Sequence, residues 1–527
     1  MDLSRRNLLR AAGVTGGLVA AGGLADAAVA GVLTAAAATR SQVILKGAPG
    51  TGGYRPLVYG AGEPTTVRTN LGITAKKGRK KRREGLLAFA QLTDVHIVDA
   101  QSPLRFESQD KNFSSSAYRP QEFLTAHVAE AMVQEINAVG KGPVTKLPLA
   151  LALQTGDNSD NGQYNEIRWN IDLLDGETVA QDSGDLTKYE GVADDNATYY
   201  SVDFWHPHGT PAGKVDDTYR SQYGFPTVPG LLDACRAPFQ ATGLVMPWYV
   251  AMGNHDELYQ GNFPHTDAAN TTAIGSTKQT NTGTRTVTAD PDRRLLSRQE
   301  LVEEHFTTTT APAGHGFTDQ NLADGTAYYS FDQGKIRFIV LDSVTPGGSD
   351  AGSIDKVQFA WLRAELERAK RKLVVIASHH TSWTMDARAI KSGDKLGPAV
   401  VKELLRYPNV IAWVNGHTHR NSVTAHKRDG GGGFWEINTA AHIDFPQQSR
   451  LIEVADNKDG TLSIFCTMVD HAAPLTWAAD QLDDPLNLAA LGRELAANDP
   501  QERDNTRRGS AKDRNVELLV RTPKWLR

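Results

Sequence analysis

The chain is 527 residues long, with 40% apolar and 22% charged residues and a formal net charge of -5. That length supports a large core and two or three domains, or one domain enlarged by insertions. The composition is that of an ordinary globular protein, and the slightly acidic balance excludes an overall drive toward nucleic acid or acidic membranes.

At the N-terminus, SRRNLLR (4–10) sets Arg5 and Arg6 ahead of the Gly/Ala-rich stretch AAGVTGGLVAAGGLA. This resembles a twin-arginine export signal. Asp26 and the glycines make the stretch a poor membrane-spanning helix. Residues 1–38 are therefore expected to be a signal peptide read by the twin-arginine export machinery and cleaved near Ala30 or Ala38. Its product is expected outside the cytoplasm, whether periplasmic, cell-wall or extracellular.

Residues 39–85 lack periodicity and predict an extended lead-in. It ends in the basic run KKGRKKRRE (76–84), expected to be a solvated loop. Only two cysteines occur, Cys235 and Cys466. Their spacing is neither that of a zinc knuckle nor that of a CxxC site, and it leaves a disulfide and two buried thiols equally open.

From residue 86 the pattern becomes regular. LLAFAQLTDVH (86–96), LPLALALQTGDNSD (147–160), MPWYVAMGNHDE (246–257), IRFIVLDSV (336–344), LVVIASHHTSW (373–383) and VIAWVNGHTHR (410–420) are short apolar runs. Each finishes in Asp, His, Asn or Gly. Between them lie helical spacings. In 121–136, Phe123, Leu124, Val128, Met132 and Ile136 share a face, with Pro120 suited to the first turn. In 355–371, Val357, Trp361, Leu362 and Leu366 do so. Strands alternating with helices predict an α/β fold with buried sheets, whose ligands bind beyond the carboxyl ends of the strands.

Two stretches, 161–245 and 258–325, break this rhythm and are far longer than ordinary connections, so they are read as insertions framing a cleft. Residues 86–475 form the expected main domain. Residues 476–527 read as a polar C-terminal extension with one helix in LNLAALGRELAAN.

The polar tails carry the chemistry. In VNGHTHR (414–420), His417 and His419 are one residue apart, which in extended chain points both to one side. A lone HxH is ordinarily a hydrogen-bonded pair, so a metal reading needs partners. They are present: Asp94 and His96 in TDVH, Asp157 in TGDNSDNG, Asn254, His255 and Asp256 in GNHD, and His379 and His380 in SHH. Carboxylate, imidazole and one amide oxygen, without thiolate, suit zinc, iron, manganese or a similar divalent ion. Seven ligands are too many for one ion and suit two that share a carboxylate.

The order D-x-H, GD, GNHD, H, GHxH resembles the calcineurin-like metallophosphoesterase superfamily, with motifs spread over residues 94–419. The long inserts and the export signal are further similar to exported bacterial members. The resemblance implies a four-layer α/β/β/α sandwich with long insertions and a hydrolase of phosphomonoesters or phosphodiesters acting through a metal-bridging hydroxide. It implies two divalent ions (Zn, Mn or Fe) and a small-molecule phosphate ester as substrate, with no nucleic-acid partner. It assigns Asp94, His96 and His419 to one metal, Asn254, His379 and His417 to the other, and Asp157 to both. His255 is the expected proton donor to the leaving oxygen, with Asp256 orienting it. Asp160 is expected to stabilise its turn. The tyrosine that purple acid phosphatases place there is absent. Arg420 and His442 are secondary candidates for contacts at the site. The alternative is an exported binding or surface protein that keeps the fold with structural metals.

Overall fold

The computed structural model describes residues 39–74, 76–110, 117–389, 393–501, 503 and 506–527. The signal peptide expected at 1–38 lies outside them. Among the described residues, no helix is long and apolar enough to cross a membrane.

Thirteen strands build two sheets. They are β1 (Thr66–Arg68), β2 (Glu84–Leu92), β3 (Ala152–Thr155), β4 (Trp248–Ala251), β5 (Tyr329–Gln333), β6 (Ile336–Val340), β7 (Leu373–Ala377), β8 (Val410–Asn415), β9 (Ser422–Lys427), β10 (Gly433–Asn438), β11 (Gln448–Asp456), β12 (Thr461–Asp470) and β13 (Val516–Arg521). The seven-stranded sheet runs β1-β13-β12-β11-β2-β3-β4, and the six-stranded sheet runs β5-β6-β7-β8-β10-β9. Within them, β2, β3 and β4 are parallel neighbours, and so are β6, β7, β8 and β10.

Side-chain alternation explains the layering. Along β6 and β7, Phe338, Val340, Leu373 and Val375 join the core between the sheets. Ile339, Val374 and Ile376 turn to the other face, under α3 (Lys356–Arg368) and α4 (Gly397–Leu404). A strand covered on both faces must be apolar throughout, which is why β7 reads LVVIA. The sheets meet through Phe89 edge-on to Phe338 at 5.3 Å and Tyr249 stacked on Phe331 at 3.7 Å. On the outer face of the larger sheet lie α1 (Thr125–Val139) and α2 (Tyr164–Asp175), and α5 (Pro485–Asn498) packs on α1. The result is the expected α/β fold in four layers.

Several boundaries differ from the sequence reading. The extended lead-in is anchored: Gln42–Lys46 pairs with Leu57–Ala61, and β1 pairs with β13. The basic run forms a turn of helix at Arg79–Arg82, and Arg79 and Arg83 both bond to Glu517 on β13, at 2.9 and 2.7 Å. Residues 476–527 are not an extension, because β13 is an inner strand of the sheet and α5 is buried against α1. A polar composition hid this: Arg493 and Asn498 are buried there with hydrogen bonds to His471 and to the Arg55 backbone. Val357 lies outside the packing face of α3 and is 70% exposed, while Gln358 is buried in its place. Cys235 and Cys466 are both buried free thiols, and burial raises both above the ordinary thiol range.

The inter-sheet contact sets the stability. Phe338→Ala removes a ring packed on both Phe89 and Phe331. It is expected to cost about 3–5 kcal/mol, read as a lower denaturation midpoint with the unfolding slope unchanged.

Candidate metal centre

Five loops converge at one end of the sandwich. Asp94 and His96 follow β2, Asp157 follows β3, and Asn254 follows β4. From the other sheet, His379 follows β7, and His417 and His419 follow β8. Each is at the carboxyl end of a parallel strand. Backbone bonds lock the loops together: Asp94 N–H donates to Gly156 O at 3.0 Å, His96 N–H to Asp157 O at 2.9 Å, and Gly416 N–H to His379 O at 3.0 Å.

The site is held in unusual backbone. Asp94, His96, Asp157, His417 and His419 all have positive φ, between 47° and 72°. For residues with a Cβ this left-handed conformation costs on the order of 1 kcal/mol or more each, and such strain persists only where surrounding structure enforces it. Gly416 shows how tight the enforcement is. A Cβ there would overlap Thr93 Oγ1 and Asp94 Oδ2.

Of the three donor clusters among the described residues, two share Asp157, and the third is His96, Asp160 and His255. Asp94, His96, Asp157 and His419 form the first, and Asp157, His379 and His417 the second; within each cluster the donor atoms lie within 4.8 Å of one another. Asp157 Oδ2 is 3.6 Å from His96 Nε2 and 3.0 Å from His379 Nε2, so one oxygen faces both groups. His419 Nε2 is 3.3 Å from Asp94 Oδ1 and 3.3 Å from His96 Nε2. Asn254 Oδ1 joins the second group at 3.1 Å from His417 Nδ1, with the amide turned that way because its Nδ2 donates to Gly261 O at 3.0 Å.

The donor set fits cations. His96 Nδ1 donates to Asp160 at 3.0 Å, His379 Nδ1 to Thr155 O at 2.9 Å, and His419 Nδ1 to Asp444 at 2.6 Å. Each bond puts the ring proton on Nδ1 and leaves the Nε2 lone pair facing inward, the arrangement of metal-ligating histidines. Electrostatics agree. Burial opposes ionisation of Asp157, yet neighbouring histidines hold its carboxyl well below the usual range. In return, Asp157 overcomes burial and raises His379 to about 9. The pocket thus carries buried negative charge that attracts positive charge, and cation binding would displace those protons.

His255 lines the cleft above the clusters. Burial would lower its pKa, but Asp157 and Asp160 raise it to about 9. Its orientation differs from the sequence expectation. Asp256 does not touch the ring; its carboxylate accepts from the N–H groups of Gly253, Asn158 and Ser159 at 2.8–2.9 Å and so pins the Asp157 loop to the Asn254 loop. Asp160 holds the ring instead, its carbonyl oxygen accepting from His255 Nδ1 at 2.9 Å. The side chain of Asp160 also accepts from His96, Arg105, Asn161 and Gln260, which occupies its four acceptor sites.

Of the remaining candidates, His380 is turned away onto Ser343 Oγ at 2.8 Å and Asp350 O at 3.1 Å. His442 is buried on Ser449, and Arg420 is exposed outside the cleft lining. Sequence reasoning missed Asp444, which holds His419 and is itself held by Arg119 at 2.7 Å. It also missed Arg507. Both lie beyond the last motif, and IDFPQQ carries no spacing signal. The cleft over the clusters has a volume of about 560 Å³, within the range of small-molecule sites.

Residues 228–421 match the family model described as calcineurin-like phosphoesterase. Over that span the chain is similar to calcineurin-like phosphoesterases. The matched span holds Asn254, His255, His379, His417 and His419, while Asp94, His96 and Asp157 precede it and join through the fold. The phosphoesterase is thus a metal-dependent phosphoric ester hydrolase. No curated protein matches the chain. Among solved structures it is similar to a dimetal phosphatase from Danio rerio, at 14% identity and a TM-score of 0.37, covering 74% of this chain and all of that one. It is also similar to a calcineurin-like phosphoesterase from Bacillus subtilis, at 11% identity and a TM-score of 0.27, covering 77% of this chain and 97% of the other. At such identities function does not transfer.

Asp444→Ala in the phosphoesterase frees the His419 ring and strips Arg119 of its partner. The expected outcome is a roughly 10–100-fold weaker affinity for divalent metal, measured by chelator competition, with the fold retained by circular dichroism.

Proposed function

We propose that the phosphoesterase is a two-metal enzyme. Asp94, His96, Asp157 and His419 hold one divalent cation, and Asp157, Asn254, His379 and His417 hold the other. The observation that carries this reading is the single oxygen of Asp157 facing both donor clusters. Bound zinc, manganese or iron would supply Lewis acidity toward phosphoryl oxygens and lower the pKa of water in the site.

The chain's own residues do the rest. Asp94 and Asp157 stay ionised because neighbouring histidines, His419 first for Asp94 and His379 first for Asp157, outweigh burial; backbone N–H groups also donate to them, His417 N to Asp94 at 2.9 Å and His255 N to Asp157 at 2.9 Å. His255 carries a proton at the nitrogen facing the cleft and delivers it to the leaving oxygen of the ester, while the Asp160 carbonyl fixes the ring. Lys278 and Arg293 tie the second insertion to the chain that follows Asp94 and His96, buried on Glu107 at 2.8 Å and Asp99 at 3.2 Å. Substrates are small-molecule phosphate esters.

Asp157→Ala is expected to abolish hydrolysis of p-nitrophenyl phosphate and to lower metal content by elemental analysis; unchanged turnover would refute the shared-ligand assignment. His255→Ala is expected to lower kcat by roughly 10²–10⁴-fold with metals retained. Metal loss there would make His255 a ligand instead of a proton donor.

We also propose export by the twin-arginine route, supported by Arg5 and Arg6 ahead of the Gly/Ala-rich stretch. Replacing both with lysine is expected to keep the full-length chain in the cytoplasm on cell fractionation. Unimpaired export would refute this.

A further inference from the structure

His255 marks the leaving side of the cleft. The proton it carries goes to the leaving oxygen, so the rest of the leaving group lies beside its donor nitrogen. The chain next to that nitrogen is a short hairpin, Leu258–Tyr259 paired with Phe263–Pro264. Gly261, in the turn, is packed on the imidazole: a Cβ there would come within 2.3 Å of His255 Nε2. Its φ of +62° suits glycine, and its carbonyl accepts from Asn254 Nδ2 at 3.0 Å, which holds the turn in place. Whatever departs past His255 Nε2 therefore meets this hairpin.

The hairpin gives the cleft an aromatic wall. Phe263 stacks on Tyr259, with ring centroids 5.2 Å apart and planes at 24°. Phe106 completes the group, 5.8 Å from both rings and at 83° to Phe263. An isolated exposed ring on a surface needs no explanation. Phe263 is different: it is 39% exposed, belongs to a three-ring group, and lines with Phe106 the same cleft as His255 and Asp157. Apart from Ala117, the other described residues of that lining are polar or charged, so the two phenyl rings are its large apolar surface.

Both rings are fixed before any ligand arrives. Phe106 lies between Arg105, buried on Glu122 at 2.7 Å, and Glu107, buried on Lys278 at 2.8 Å. The Phe263 strand is tied at Asn262, whose carbonyl accepts from Ser349 N at 2.9 Å and whose Nδ2 donates to Gln260 O at 2.7 Å. Preformed surfaces lose little freedom on binding. An aromatic group stacked on such rings, or edge-on to them, gains contact that an alkyl or polyol group lacks.

We propose that Phe106 and Phe263 form a leaving-group subsite, and that this subsite selects phosphate esters whose leaving group carries an aromatic ring. The inference rests on the phosphoesterase reading above, with His255 as proton donor. The chemistry recognised is a planar π face, whether the ring sits directly on the leaving oxygen or one sugar farther out.

The test measures inhibition constants against p-nitrophenyl phosphate hydrolysis for wild type, Phe263→Ala, Phe263→Tyr and Phe106→Ala. Phenylphosphonate is compared with methylphosphonate; neither is hydrolysed, so their ratio reads the ring contact apart from leaving-group reactivity. Adenosine monophosphate against ribose phosphate makes the same comparison with the ring one sugar farther out. Wild type is expected to favour the ring-bearing member of at least one pair by ~10-fold, and that pair names the source of the ring. Each alanine variant is expected to erase most of the preference while inhibition by inorganic phosphate and metal content stay as in wild type. Phe263→Tyr is expected to keep it. Equal inhibition within both pairs overturns the proposal. So does a preference that survives in both alanine variants, or an equal weakening of inorganic phosphate and the ring-bearing inhibitors, which would make the rings packing for the hairpin and no subsite. Should wild type hydrolyse no ester, the function proposed above falls, and calorimetry with the same two pairs decides this inference. A ring preference lost in Phe263→Ala supports it; equal binding, or a preference that the variant keeps, overturns it.

Discussion

Two buried carboxylates govern this structure. Asp94 and Asp157 are 0% and 1% exposed and sit in one donor cluster. Burying like charges together is costly unless positive charge and hydrogen bonds match them. The surroundings answer that cost at each atom. Backbone N–H groups of His417 and His255 donate to them, imidazoles of His96, His379 and His419 face them, and the geometry of those imidazoles suits cations.

Holding so many polar groups at one point requires rigid support, and the fold supplies it by strand order. Three parallel neighbours of one sheet and two of the other end together, and each loop is hydrogen-bonded to the next. The left-handed backbone at five donors is held in place because β3 and β8 are buried throughout and β2 is buried toward its carboxyl end. Asp256, Asp160 and Asp444 form a second tier, each fixing a loop or a ring while touching no inward donor position.

The insertions are walls more than appendages. The first contains α2, packed on α1, and the second sends Lys278 and Arg293 into buried ion pairs with residues that follow Asp94 and His96. The C-terminal segment belongs to the same enclosure: β13 pairs between β1 and β12 in the larger sheet, and the chain before it lies on the loop of His417 and His419. The cleft is therefore assembled from residues separated by nearly the whole chain.

The sequence by itself determined the α/β class and the candidate donors, because both are local. An apolar run covered on two faces reads as a buried strand, and a glycine followed by Asp, Asn or His marks a sharp turn at its end. Residues such as Asp157 and His417 were visible in that way. The tertiary structure alone decided which groups orient them. Asp160 rather than Asp256 holds His255, Asp444 holds His419, and Arg507 reaches the cleft, since such contacts join residues with no common spacing. The same reason hid the C-terminal strand and helix, whose polar residues find partners only across the fold. Periodicity reports what one element buries against the core; it carries no information on which distant element satisfies a buried polar group.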